Sequence, residues 1–228
     1  MPRPKLLPVG HHFVAGLLLL TASTGCIDAV SYLALDKVFT GNMTGNVLFI
    51  GFSIVGAGAA PLLNNIIALI GFVIGSMVGG RIVGRKARNG LPWSSRGILI
   101  GGALLILALA IYWLIVQTLS HPALLIVTAV LAFVMGSQVS AVKPVGNSDV
   151  TTIVVTNTLA NLARDSRLAG GKGTNWFPRL AAILAMGIGA AIGAACNKYL
   201  GGGEALLAGA VIFFLAMLTL VMADRRLT

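Results

Sequence analysis

The chain has 228 residues, of which 57% are apolar and only 10% charged, and its mean hydropathy is +0.95. About a quarter of a soluble domain is charged, so this composition excludes a soluble globular enzyme, a disordered chain and a disulfide-rich secreted domain. Sixteen Lys and Arg stand against six Asp and Glu, a net charge of +10. In so apolar a chain the cations are read by their place between apolar runs, and no nucleic-acid partner is expected.

A membrane-spanning helix needs about 20 mostly apolar residues. Six stretches qualify: 12–35, 61–80, 97–118, 122–142, 178–197 and 204–223. Two shorter ones, 43–58 and 151–163, are rich in Thr, Asn or Gly. None alternates as the strands of a membrane barrel do. The N-terminus imitates a lipoprotein signal, with Arg3 and Lys5 before an apolar run and Ser23-Thr24-Gly25-Cys26 after it. Ser23, however, stands where such signals carry a branched apolar residue, and the run continues to Leu35, which is span length. Cys26 and Cys196 both fall in spans and read as packing thiols, not as a disulfide framework.

Charge decides whether the two short stretches cross. If neither does and the N-terminus is cytoplasmic, fourteen cations face the cytoplasm: Arg3, Lys5, Arg81, Arg85, Lys86, Arg88, Arg96, Lys143, Arg164, Arg167, Lys172, Arg179, Arg225 and Arg226. Only Lys37 and Lys198 then lie outside, whereas crossing by both stretches gives eight against eight. Cytoplasmic loops carry the Lys/Arg excess. The expectation is therefore six membrane spans, both termini cytoplasmic, with 43–58 and 151–163 as re-entrant half-helices.

The two halves match in order. Thr40-Gly-Asn-Met-Thr-Gly-Asn46 lies over Thr152-Ile-Val-Val-Thr-Asn-Thr158, so that Thr40 falls on Thr152 and Thr44 on Thr156. Gly71, Gly75 and Gly79 fall on Ala185, Gly189 and Gly193 after a two-residue offset. Each half has three spans, so the second is inverted: an all-α, 3+3 inverted repeat within one transmembrane domain, about 12–118 and 122–224. Inverted repeats with interrupted helices at matching positions are frequent in transporters. Non-helical backbone within the bilayer must be buried in protein or line a wet cavity. Thr40, Asn42, Thr44, Asn46, Thr152, Thr156, Asn157 and Thr158 can bond such backbone, or a solute. Two half-helix N-termini would meet there, with N–H groups that favour negative or carbonyl-like oxygen.

Asp28 lies about two-thirds along the first span, with Thr24, Gly25, Ser31 and Tyr32 on its helical face. An acid at a span centre costs at least about 2.5–3.5 kcal/mol and is kept for a partner or a task. Three uses follow: a brace for the half-helix N-termini, a site for a cationic part of a solute, or a proton site. The second half offers Gln138 and Ser140 near that depth and no acid. Asn64 and Asn65 read as interface-hydrated, Thr128 as bonded to its own backbone, and Trp113, Trp176 and Tyr199 as interfacial belt residues. The glycine ladders read first as close-packing faces, and they are also a candidate homodimer surface. The cationic runs 81–88 and 164–179 read as solvated loops that set orientation, although anionic headgroups would also suit them. His11, His12 and His121 lie at the surface or in a loop, and no spacing suggests a metal or a cofactor. No motif of enzymatic chemistry is present.

Gly25-x-x-Asp28-Ala-x-x-Tyr-Leu, followed by Val38-Phe-Thr-Gly-Asn-Met-Thr-Gly-Asn46, resembles the first signature of the YoaK family of bacterial membrane proteins. Gly136-x-Gln138 followed by residues 151–163 resembles the second, with Thr156-Asn157-Thr158 where the family has Thr-Gly-Thr and Gln138-Val139-Ser140 where it has Gln-Asn-Ala. The resemblance implies a bacterial inner-membrane protein, multi-pass, and supplies no substrate. The sequence as a whole reads as a small-solute transporter, a secondary permease or a channel, embedded in lipid. Proton coupling would fall to Asp28. The other reading is a membrane scaffold with a dry, packed centre.

Overall fold

The structure is a computed structural model that describes residues 13–58, 60–84, 90–145 and 155–225. The cations Arg3, Lys5, Arg85, Lys86, Arg88 and Arg226, the histidines His11 and His12, and the first residues of the 151–163 stretch lie outside that set. Eight α-helices are described: α1 (Val14–Ala34), α2 (Met43–Ile54), α3 (Leu62–Val83), α4 (Trp93–Val116), α5 (His121–Val142), α6 (Val155–Arg164), α7 (Trp176–Tyr199) and α8 (Gly202–Arg225). A 3-10 turn, Arg167–Ala169, sits between α6 and α7. Six of the helices are long and apolar enough to span a membrane, and they are the six expected. α4 starts four residues before its apolar run because Pro92 precedes it and the polar Ser94, Ser95 and Arg96 fill its first turn. Within α1 Thr21 and Thr24 donate locally to Leu17 O and Leu20 O at 2.8 and 3.0 Å, while Ser23 donates across to Gly209 O on α8 at 2.9 Å.

Glycine decides how the long helices meet. A Cβ on Gly75 would lie 2.1 Å from the Phe133 carbonyl oxygen, and one on Gly136 2.1 Å from that of Phe72, so α3 and α5 touch backbone to backbone. α1 and α7 do the same, with 1.9 Å from Gly189 to Ala22 O and 2.2 Å from Gly25 to Met186 O. Successive contacts rise together along each pair: Gly71, Gly75 and Gly79 meet Ala129, Phe133 and Ser137, while Gly189 and Gly193 meet Ala22 and Cys26. Both pairs are therefore parallel. α8 runs antiparallel to α1, since Gly16 meets Leu220 and Gly209 meets Ile27, and antiparallel to α4, since Gly102 meets Phe213 and Gly202 meets Trp113. Ser76 and Ser140 donate across the α3/α5 contact, to Gly136 O and Ser76 O at 3.1 and 2.9 Å. α1 and α5 form the centre, with 67% and 61% of their spanning windows buried against 22% and 17% for α3 and α7. The start of α4 is fastened to the end of α8: Asp224 accepts from Leu91 N at 2.6 Å and pairs with Arg96, which also donates to Leu91 O.

This packing corrects four expectations. The ladders Gly71/Gly75/Gly79 and Gly189/Gly193 are spent on α5 and α1, so the homodimer surface expected there is taken up inside the chain. Trp113 is not a belt residue; it is buried against Gly202, whereas Trp176 and Tyr199 are exposed. Asn64 and Asn65 are not exposed at an interface: both are fully buried, donating to Asp36 Oδ2 and Pro61 O. Thr128 is buried, and its hydroxyl has no hydrogen bond among the described residues.

Candidate functional site

The site grows from the one acid within α1. A carboxylate inside an apolar bundle needs donors to replace its water, and Asp28 finds them on the non-helical segment that leads into α2. Its Oδ1 accepts from Thr40 N at 3.0 Å, Thr40 Oγ1 at 3.3 Å and Gly41 N at 2.7 Å, and its Oδ2 accepts from Asn42 N at 3.1 Å. Three successive backbone N–H groups converging on one anion form a nest, and the α2 N-terminus behind it adds favourable partial charge. Asp28 precedes the last residue of α1 by six positions, or about 9 Å of helix. The chain thus turns back beside α1 before α2 begins. Asp36 and Lys37, both at φ +58, make that reversal in left-handed backbone.

Other side chains fix the same segment. Asn46 is fully buried and spans both backbone groups of Phe39, accepting from its N–H at 2.9 Å and donating to its carbonyl at 2.6 Å. Asn42 caps α2 by accepting from Gly45 N at 3.4 Å. Phe39 stacks on Tyr32 at 5.1 Å and on Phe49 at 6.0 Å, which clamps the turn against the helices on either side. Behind Asp28, Gln138 on α5 donates to Thr24 Oγ1 at 3.3 Å, while its own buried Oε1 has no partner among the described residues.

In front of Asp28 lies a partly open cavity of about 760 Å³. α1 contributes Gly25, Asp28, Ala29, Tyr32 and Leu33, and the segment leading into α2 contributes Phe39, Gly41 and Asn42. Met43, Thr44, Gly45 and Leu48 come from α2, Val155 and Thr156 from the first turn of α6, Phe72 from α3, and Met186, Ala190 and Ala194 from α7. The start of α2 and the first described residues of α6 therefore share one cavity with the acid. Of the residues singled out from the sequence, Asp28, Asn42, Thr44 and Thr156 line it. Thr40 and Asn46 are buried beside it and hold its wall. Gln138 is one contact behind, Asn157 is exposed on α6, Thr158 is buried in α6, and Thr152 lies outside the described residues.

Residues 16–219 match the family described as "Protein of unknown function (DUF1275)". The chain belongs to this family. It is also 34% identical over 149 residues to the "UPF0700 transmembrane protein YoaK" of Bacillus subtilis (strain 168). That match covers 65% of this chain and 65% of the relative, so the chain spans about two-thirds of the protein it matches. No solved structure matches. The resemblance to the YoaK family read from the two signatures is thus confirmed, and this DUF1275 chain is a multi-pass membrane protein.

Sequence reasoning passed over the apolar lining of the cavity. Met186, Ala190 and Ala194 recur at four-residue spacing, one position beyond Ala185, Gly189 and Gly193. The ladder points at α1, and the adjoining stripe points into the cavity. That neighbouring stripe was the signal that could have located this wall of the DUF1275 site.

Proposed function

We propose that the protein passes a small solute across the bacterial inner membrane, as a permease or a channel, and that the solute occupies the cavity in front of Asp28. The reading rests on one observation: the start of α2 and the first described residues of α6 line a single cavity with Asp28, Asn42, Thr44 and Thr156. In this reading α2 and α6 are re-entrant half-helices of a 3+3 inverted repeat. At twelve residues α2 is about 18 Å long, too short for a bilayer core of about 30 Å. The contact pattern supports the repeat. α3 packs on α5 as α7 packs on α1, α1 on α8 as α5 on α4, and α2 on α3 as α6 on α7. Cations then gather on the cytoplasmic side with both termini.

The polar wall suits a solute that exchanges hydrogen bonds and needs no covalent chemistry. Thr44 and Thr156 present hydroxyls and Asn42 an amide. Asp28 combines two tasks: it braces α2 through four donors, and it is the acid on the described cavity wall, where a proton or a cationic group of the solute would be taken up. A membrane scaffold, by contrast, calls for a dry, packed centre.

The test is water access. Thr44→Cys and Thr156→Cys, each in the full chain, should react with a small charged methanethiosulfonate reagent in membrane vesicles. Leu20→Cys, in the packed core of α1, should not. If Thr44→Cys and Thr156→Cys stay unreactive from both sides of the membrane, the cavity is dry and the solute reading fails.

A further inference from the structure

The loop between α6 and α7 is folded, although its composition alone reads as a solvated charged run. Gly171 N donates to Ser166 O and Gly173 N to Asp165 O, each at 2.9 Å, and Ala169 N donates to Ser166 O at 3.1 Å. Gly170 and Gly173 take left-handed backbone, φ +79 and +65, which closes the loop on itself. Arg179, buried at the start of α7, donates through Nη1 to Asn161 O at 2.9 Å and to Asp165 Oδ2 at 2.8 Å, and so fastens the loop to both helices.

This folded loop holds apolar side chains outward. Leu168 is 101% exposed, and Trp176 and Phe177, in edge-to-face contact, are 56% and 65% exposed. Around them Arg164, Arg167 and Lys172 are exposed, while the one acid of the segment, Asp165, is engaged by Arg164 and Arg179. α7 enters its spanning run at Trp176, so the loop sits at the level of the headgroups. A leucine held out among cations beside an aromatic pair fits an interface that is apolar on one side and anionic on the other. Residues 55–61, which link α2 to α3, contain no charged residue, so the matching link of the first half has no such feature.

We propose that the α6–α7 loop is a binding surface for anionic phospholipid, with Leu168 seated at the acyl boundary and Arg164, Arg167 and Lys172 on the headgroup phosphates. The surface does not depend on the solute reading. Native mass spectrometry of the full chain in detergent, offered equal phosphatidylglycerol and phosphatidylcholine, tests it directly. The wild type should retain phosphatidylglycerol in preference by about fivefold or more. Arg167→Gln/Lys172→Gln leaves the Arg164–Asp165–Arg179 contacts in place and should abolish most of that preference, whereas Arg81→Gln, on α3, should keep it. Leu168→Asn should weaken retention of both lipids. Equal retention by the wild type, an undiminished preference in the double variant, or displacement of the lipid by inorganic phosphate would overturn the proposal.

Discussion

At the scale of single residues, Asp28 and Asn46 divide one task. Asp28 receives the N–H groups of Thr40, Gly41 and Asn42, and Asn46 holds Phe39 from the other side. Asp28→Asn keeps one acceptor oxygen and turns the other into a donor facing an N–H. Stranding buried donors costs about 1–3 kcal/mol, so thermal unfolding in detergent should drop by that order, with new protease sensitivity at 36–42. An unchanged melting profile would remove the brace. Asn46→Asp should be equally harmful despite its size, because it still accepts from Phe39 N but faces the Phe39 carbonyl with an oxygen. Asn46→Gln, which retains both functions on a longer stem, should be milder in the same unfolding assay. Asp28 was legible in the sequence because an acid in a span stands out. Its partners were not, because three of the four donors are backbone groups and leave no side-chain signature.

At the scale of helices, small residues set contacts whose partners the sequence does not name. The four-residue spacing of Gly71, Gly75 and Gly79 announces a narrow face, yet it fits a neighbouring molecule as well as α5; only the register against Phe133 and Ser137 decides it. Two glycines of α7 make the point testable. Gly189→Ala places a Cβ 1.9 Å from the Ala22 carbonyl, backbone that cannot step aside, while Gly187→Ala meets nothing within 4 Å. The first should cost about 1–3 kcal/mol by overpacking, and the second should be neutral or stabilising by up to about 1 kcal/mol through helix propensity. Paired unfolding curves check this, and equal behaviour of the two variants would contradict the parallel α1/α7 contact. The α6–α7 loop carries a pH prediction of a different kind. Hydrogen bonds from Arg164 and then Arg179 hold the Asp165 carboxyl below its ordinary value of 3.8. A lowered folded value means the contribution is fully present above 3.8 and is lost as pH falls through the lowered value. Amide exchange at 166–173 should therefore show no Asp165-linked loosening from pH 7 to pH 4, with loosening only under more acid conditions.

At the scale of the whole chain, the directions of the six long helices constrain how it threads the bilayer. α1 runs antiparallel to α8 and α8 to α4, while α1 is parallel to α7 and α3 to α5. Gly102 of α4 meets Val134 of α5, and the ion pair of Arg96 with Asp224 places the start of α4 at the end of α8. These relations are satisfied when α1, α4 and α7 point one way and α3, α5 and α8 the other. In the proposed repeat the chain then reverses between α1 and α3 without a crossing by α2, and between α5 and α7 without a crossing by α6. The proposed repeat therefore places Ser94 and Thr174 on one face, and Ala57 and Thr118 on the other. Cation placement adds that the first face is cytoplasmic. Single cysteines at these four positions, treated in intact cells with an impermeant maleimide, separate the two claims. Ala57→Cys and Thr118→Cys should label from outside, and Ser94→Cys and Thr174→Cys only after permeabilisation. Labelling of all four in the reverse sense would overturn the orientation, and the repeat would then stand only with the N-terminus outside. Labelling of Ser94→Cys and Thr174→Cys from opposite faces would require a short helix to cross, and the inverted repeat would fall with it.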